Sequence, residues 1–435
     1  MSRVKRHLAP LALVVLGVLL IAAASSAAPA KTRRVSVKSN GEEGAAFSGG
    51  YIDDLSDDGK VAVFISASQL TGADDNAFTD IYVRKLKTGK TVLASVRSNG
   101  NDGNELSSGP AISGNGRFVA FTSYANNLVP SDESMSRDVF VHDLKTGKTE
   151  RVSIATNGDE SGETGSQPSI SFTGRYVAFN TGSQLSNRDN NHADDVYLRD
   201  RKTDKTELVS QTSAGVDTTD GTSENPSLSN NGRFVAFESE ADDLVSNDEN
   251  ASDDIFVRDR MKDKTRRVSL ATDDQERSGN SLDASISSNG NLIAFGSSAP
   301  FATMDDNGFS DIYLRNVERG TTTWLSRNKD GDAADGNAYY PSMSPNGRMI
   351  GFYSHANDLV GGPQPLSYRP YLYDRVKDRM IMVDRSSAGD PGNGDGYVIG
   401  ISADGRFVLI SSTSTELVGN DDNGVEDIFR RGPLY

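Results

Sequence analysis

The side chains in this chain best suited to chemistry are aspartates and asparagines that return at one spacing, Asp-x-Asn-x-x-x-Asp. The full pattern occurs as Asp74, Asn76, Asp80, as Asp189, Asn191, Asp195, as Asp248, Asn250, Asp254, as Asp305, Asn307, Asp311, and as Asp421, Asn423, Asp427. Another copy, Asp132, Ser134, Asp138, varies the middle residue, and one further place carries Pro363, Pro365 and Arg369 instead. Hard cations take about six to eight oxygen ligands. Side-chain oxygens at the first, third and seventh positions, with a carbonyl at the fifth, can wrap Ca²⁺, which is the cofactor these loops would take. A second reading needs no ion: Asp and Asn cap turns through side-chain to backbone hydrogen bonds and fix the entry to the next strand. Both readings stay open in the sequence. Repetition points to a job done once per repeat, because a single catalytic centre would not be copied.

Other reactive groups do not gather. His142, His192 and His355 fall at unrelated places in three repeats, so no shared metal or nucleophile site is expected of them. No Gly-x-Ser-x-Gly elbow is present. The glycine-rich stretch from Gly392 to Gly396 lacks the strand-to-helix context of a phosphate cradle. Tyr339, Tyr340 and Tyr397 either line a channel mouth, where they would stack on a sugar or peptide, or pack between repeats. With no cysteine, neither disulfides nor thiolate metal sites are available.

The elements that must position these residues repeat with them. A glycine ahead of an apolar strand recurs at Gly59, Gly116, Gly174, Gly232, Gly290, Gly347 and Gly405, at intervals of 57 or 58 residues. Each unit reads as short alternating strands parted by turn residues, as in Phe234-Val-Ala-Phe, then an acidic loop, then Asp254-Ile-Phe-Val-Arg-Asp. A fixed period with about four strands per unit predicts an all-β fold, a seven-bladed β-propeller of four-stranded blades. With strands lettered a to d, the a–b turns carry Asn-Gly or Asp-Gly at six of seven places, which predicts two-residue hairpins with positive φ. The near-continuous apolar runs of strand b predict burial on both faces, with Phe121, Phe179 and Phe237 between blades. Residues from 31 match the last strand of a unit, and the chain ends after a third strand at Asp427–Arg431. The amino-terminal strand is therefore expected to complete the last blade and close the ring. Strand alternation puts the tight a–b and c–d turns on one face. The long b–c loops and d–a crossovers lie on the other, where binding residues are expected.

The unit Ser-x-Asn-Gly-Arg-Phe-Val-Ala-Phe, followed by Asp-Ile-Phe-Val-Arg-Asp and a Thr-Gly-Lys turn, resembles the WD-like repeat of TolB-type β-propellers. The resemblance covers residues 31 to 435 and is to the propeller alone, without the amino-terminal α/β domain of TolB. It implies a fold more than an activity, since such repeats occur in binding proteins, in peptidase gating domains and in some lyases.

Arg3, Lys5 and Arg6, the apolar run Leu11–Ala24 and the small residues ending at Ala30 read as a secretory signal peptide, residues 1–30. Export to the cell envelope or beyond is thus expected, with the propeller from 31 to 435, no membrane span in the mature chain, and a monomer. The formal charge of −16 repels nucleic acid and anionic membranes and attracts cations or basic partners. The function read from all this is a non-catalytic binding or scaffold propeller, its partner a protein, peptide or glycan held on the face of the long loops. The alternative is a carbohydrate-active lyase or hydrolase with paired carboxylates at the channel mouth.

Overall fold

A computed structural model describes residues 29–435 apart from 51–53, 131, 133–135, 161, 163–164, 217–220 and 362–366. The leader read from the sequence, residues 1–30, lies almost wholly outside the described residues, as do Ser134, Pro363 and Pro365. Strands form seven antiparallel sheets of four, and no helix occurs among the described residues. Blade two shows the plan: strand a Ser107–Ile112, b Phe118–Ser123, c Asp138–Asp143 and d Thr149–Arg151. The ring closes as expected. Lys31–Arg34 pairs antiparallel with Asp427–Gly432, so the first strand of the chain is strand d of the seventh blade.

Each blade is only a sheet, and its apolar residues are buried by its neighbours. Seven apolar clusters result, each straddling two adjacent blades; one joins Val63, Ile81 and Val83 of blade one to Val119 and Phe121 of blade two. Strand b is buried on both faces, and Phe121, Phe179 and Phe237 are fully inaccessible. Inter-blade staples add to this packing. Arg84, Arg199, Arg258, Arg315 and Arg431, all on strand c, donate to carbonyls of the preceding blade's outer loop. Blade two has His142 at that position, buried and bonded to Thr149, and burial lowers its pKa.

The a–b turns differ from the expected two-residue hairpins. Ser113 N donates to the Phe118 carbonyl and Gly116 N to the Ser113 carbonyl, leaving Gly114 to Arg117 as the loop. Only the glycine takes a positive φ, 69° at Gly116, whereas a two-residue turn of the expected kind needs two such residues. The residue before the glycine serves through its side chain: Asn115 Oδ1 accepts from Ser113 Oγ and from Arg117 N. Thr173 is accommodated for this reason, since its backbone stays in the ordinary region.

These turns also meet around the axis. Backbone bonds run from Asp57 N to Gly114 O, Asn115 N to Phe172 O, Phe172 N to Asn230 O, Asn230 N to Ser288 O, Ser288 N to Pro345 O, and Ala403 N to Asp57 O. The remaining junction falls at Pro345, which has no N–H to donate. The turn face is thereby knitted together, and the opposite mouth carries the long loops.

Candidate functional site

The Asp-x-Asn-x-x-x-Asp loops are built alike. The last aspartate opens strand c and accepts from a serine two residues past strand d, 2.6 Å for Ser95 Oγ to Asp80; the same serine accepts Ile81 N. This pair repeats as Ser153–Asp138, Ser210–Asp195, Ser269–Asp254, Ser326–Asp311 and Ser36–Asp427. The asparagine closes a local turn, as where Asn250 Oδ1 accepts Ser252 N, and its amide reaches the d–a crossover at the Arg277 carbonyl. Asn76, Asn307 and Asn423 do likewise toward Gly103, Ala334 and Gly44, and Asn191 Oδ1 accepts Ala193 N. Turn capping is therefore present at each asparagine of the motif.

The first aspartate has two kinds of partner. In blades one, three and five it accepts from a strand c tyrosine: Tyr82 to Asp74, Tyr197 to Asp189, Tyr313 to Asp305. In blades two, four and seven that position is Phe140, Phe256 or Phe429, and its cross-strand neighbour on strand d is an arginine. Arg267 lies 2.8 Å from Asp248, 3.1 Å from Asp254 and 2.7 Å from Glu276. Arg151 meets Asp132, Asp138 and Glu160, and Arg34 meets Asp421, Asp427 and Glu43. Blade six swaps the charges: Arg369 stands in place of the last aspartate and pairs with Asp384 in place of the serine. Pairs of strand c and d residues carried this signal in the sequence, Phe with Arg and Tyr with Leu or Trp, and comparing the repeats column by column would have found it.

A second set of residues converges at the open mouth. Strand a of every blade lines a central cavity of about 490 Å³. In blades two to six strand a bulges, and the bulged residue takes a positive φ: Gly109, Gln167, Asn225, Asp283 and Tyr340. Left-handed backbone is unfavourable for all but glycine, and such strain gathers where a side chain must be aimed. Gln167, Asn225, Asp283 and Tyr340 all line the cavity.

Around them sit three further positions: the residue before the bulge, the fifth of strand b and the one before strand c. Where the rest of the repeat is nearly constant, these differ from blade to blade. Blade three has Ser166, Asn180 and Asp194, blade four Glu224, Glu238 and Asp253, and blade six Tyr339, Tyr353 and Tyr368. The blade-three trio and Glu224, with Ser108, Thr122 and Arg137 of blade two, line a connected recess of about 510 Å³. Glu238 accepts from Asn225 Nδ2 and from Asp283 N, and burial, against these bonds, pushes its pKa up to about 8. Burial likewise raises Asp283 to about 6, and raises Glu224 and Asp253. On blade six Tyr353 is the hub, its ring 5.8 Å from Tyr339, 5.5 Å from Tyr340, 5.1 Å from Tyr368 and 4.7 Å from Tyr397. His355 stacks on Tyr368. Packing and lining, left open in the sequence for Tyr339, Tyr340 and Tyr397, thus coincide: the rings pack on one another, and Tyr340 remains 40% exposed on the cavity wall. His142, His192 and His355 stay apart, on strand c of blade two, a blade-three loop and the blade-six mouth.

The fold and its two sites define a closed seven-bladed propeller with an unevenly lined mouth. No family model matches the chain, and no curated protein matches it in sequence. Solved structures do match. A prolyl endopeptidase, described for inter-domain dynamics in catalysis and specificity, aligns with a TM-score of 0.55 and 12% identity over 85% of this chain. This chain covers 46% of that one, less than half its length. An oligogalacturonate lyase in complex with manganese aligns with a TM-score of 0.52 and 13% identity, over 93% of this chain and 96% of that one. TolB from Acinetobacter baumannii is also among the neighbours, at 0.41 and 14% identity, over 82% of this chain and 76% of that one. At such identities the likeness shows the propeller and nothing finer. Among the described residues no helix is long and apolar enough to cross a membrane.

Proposed function

We propose that this is an exported binding propeller of TolB-like type. Its mouth, on the face of the b–c and d–a loops, takes a basic segment of a peptide or protein. The observation that carries the reading is the uneven lining of the mouth, where one blade is acidic and another aromatic. Glu224, Asp253 and the adjoining Asp283 offer negative charge with low exposure, where a cation is attracted more strongly than at an open surface, and Glu238 adds its charge when a cation draws off its proton. The blade-six tyrosines, two blades on, offer flat faces that hold an aliphatic stem, a ring or a cation. A lysine- or arginine-containing segment satisfies both walls at once.

Calorimetric titration of the purified protein with lysine- and arginine-containing oligopeptides tests this. Binding should weaken with salt, fall at least about tenfold in Glu224→Gln and Tyr340→Ala, and be absent for uncharged peptides of equal length. Equal affinity for uncharged peptides, or no effect of either substitution, would overturn the reading. A second reading draws on the same acids: Glu238, protonated at neutral pH beside Asp283, has the state of a general acid in a carbohydrate lyase or hydrolase. Release of shortened chains from a glycan by wild-type protein, lost in Glu238→Gln, would favour that reading over a binding role.

A further inference from the structure

Among the described residues, three of the b–c loops have an arginine of their own, and the loop of blade one, with acids at the same three places, does not. In blades two, four and seven, three carboxylates surround one arginine guanidinium, as Asp248, Asp254 and Glu276 surround Arg267. The same three positions in blade one are Asp74, Asp80 and Asp102, and one carboxylate oxygen of each lies within 4.8 Å of the others. Leu93 stands where the arginine would be, opposite Tyr82 in place of phenylalanine. All three aspartates are buried. Two of their oxygens, Asp74 Oδ1 and Asp102 Oδ1, have no hydrogen bond. Tyr82 donates to the other Asp74 oxygen, and Asn76 Nδ2 and Asp75 N donate to the other Asp102 oxygen at 2.7 and 3.2 Å, so one oxygen of each carboxylate remains open. Buried carboxylates left this way are costly unless paired or bound to a metal. Among the described residues, the other three-acid group at equally close quarters, Glu43, Asp421 and Asp427, already encloses Arg34.

We propose that blade one binds a single Ca²⁺ between Asp74, Asp80 and Asp102, at the place an arginine guanidinium fills in blades two, four and seven. An all-oxygen, all-carboxylate donor set selects a hard cation over zinc or copper. Two oxygens on opposite sides of a Ca²⁺ with bonds of about 2.4 Å stand about 4.8 Å apart, which accommodates the cluster. Mg²⁺ demands a tighter, near-octahedral shell and keeps its waters. Blade five makes the contrast: it keeps Asp305 and Asp311, but its third position is Ala333, so no ion is assigned to it.

The test is calcium titration of the chelator-stripped protein, followed by calorimetry and by melting temperature, with magnesium as a parallel arm. Wild type should bind Ca²⁺ and melt higher in its presence, because a ligand of the folded state shifts the folding equilibrium about a hundredfold at a hundredfold excess over Kd. Asp102→Asn should weaken this at least about tenfold, and Glu276→Gln in blade four should leave it unchanged. The double variant Tyr82→Phe, Leu93→Arg supplies blade one with the arginine of its neighbours. It should lose the calcium response yet melt without calcium at least as high as wild type, which separates loss of the ion from loss of the fold. Absence of calcium binding in wild type, binding undiminished in Asp102→Asn or in the double variant, or equal affinity for Mg²⁺ would each overturn the proposal.

Discussion

At the scale of single residues, two side chains with the same formal charge do opposite things to the fold. Asp143 at the end of strand c takes a two-pronged bond from Arg117, 2.8 and 2.6 Å, and that hydrogen bonding holds its carboxyl far below the usual range. Glu238 at the mouth meets no cation among the described residues and is raised to about 8 by burial. A raised acid stays protonated in the folded protein while the unfolded chain releases its proton, so folding stability falls as pH rises from about 4.5 toward 8. A cationic ligand reverses the preference, because it favours the ionised form. Its affinity should therefore rise as pH climbs toward 8, with release of a proton on binding near neutrality. Calorimetry in buffers of different ionisation heat reads that proton directly, and Glu238→Gln should abolish it while flattening the pH dependence. If proton release persists in the variant, Glu238 is not the group facing the ligand. The mouth was half legible in the sequence. Its tyrosines stood out, but Glu224, Glu238 and Asp253 looked like three acids among many. They become a set only when residues 224, 238 and 253 are placed on three neighbouring strands of one blade.

At the scale of elements, the repeat was read correctly where a position answers to one constraint and misread where it answers to two. The period, the strand order and the buried strand b follow from apolar alternation alone, and all are found. Asn-Gly on its own signals a two-residue hairpin, whereas here the asparagine bonds the turn through its side chain and the glycine answers to the preceding blade. A Cβ built on Gly232 would lie 2.3 Å from the Tyr176 ring of the preceding blade, and its φ is 68°. That aromatic is itself covered by Arg175 and by Arg260 of the following blade, with guanidinium carbons 4.6 and 4.8 Å from the ring centre. Gly232→Ala therefore meets two penalties: about 1–2 kcal/mol for left-handed backbone, and displacement of the tyrosine from between its arginines. A total loss above about 2 kcal/mol is expected in denaturant titration. Gly147→Ala, in a c–d turn with open space around it, should cost only the backbone share. Equal losses at the two sites would show that contact with the neighbouring blade carries no weight.

At the scale of the whole molecule there is no central core to fall back on. The cavity on the axis is lined by strand a from every blade, and the apolar material is divided into seven clusters between blades. Cooperativity must then pass around the ring, and the ring is joined at a single strand supplied by the other end of the chain. Lys31–Arg34 pairs with Asp427–Gly432, and Val35 beyond it enters the cluster shared by blades seven and one. The same segment brings Arg34 to Asp421 and Asp427, and Ser36 to Asp427. Removing residues 31–36 therefore strips the edge of strand 427–432, leaves Asp421 and Asp427 buried without their cation, and unseats one of the seven clusters at once. Buried acids deprived of a partner cost about 3–5 kcal/mol, before the lost strand is counted. The shortened protein should melt well below the full one and in a broader transition, because blades on either side of the breach can fray independently, and its bare edge should promote aggregation. Adding the missing segment back as a free peptide should restore a single sharp transition in proportion to its concentration, since closure is then a bimolecular step. A shortened protein that melts at the original temperature, with the original sharpness, would mean that the ring does not depend on this strand for its cooperativity.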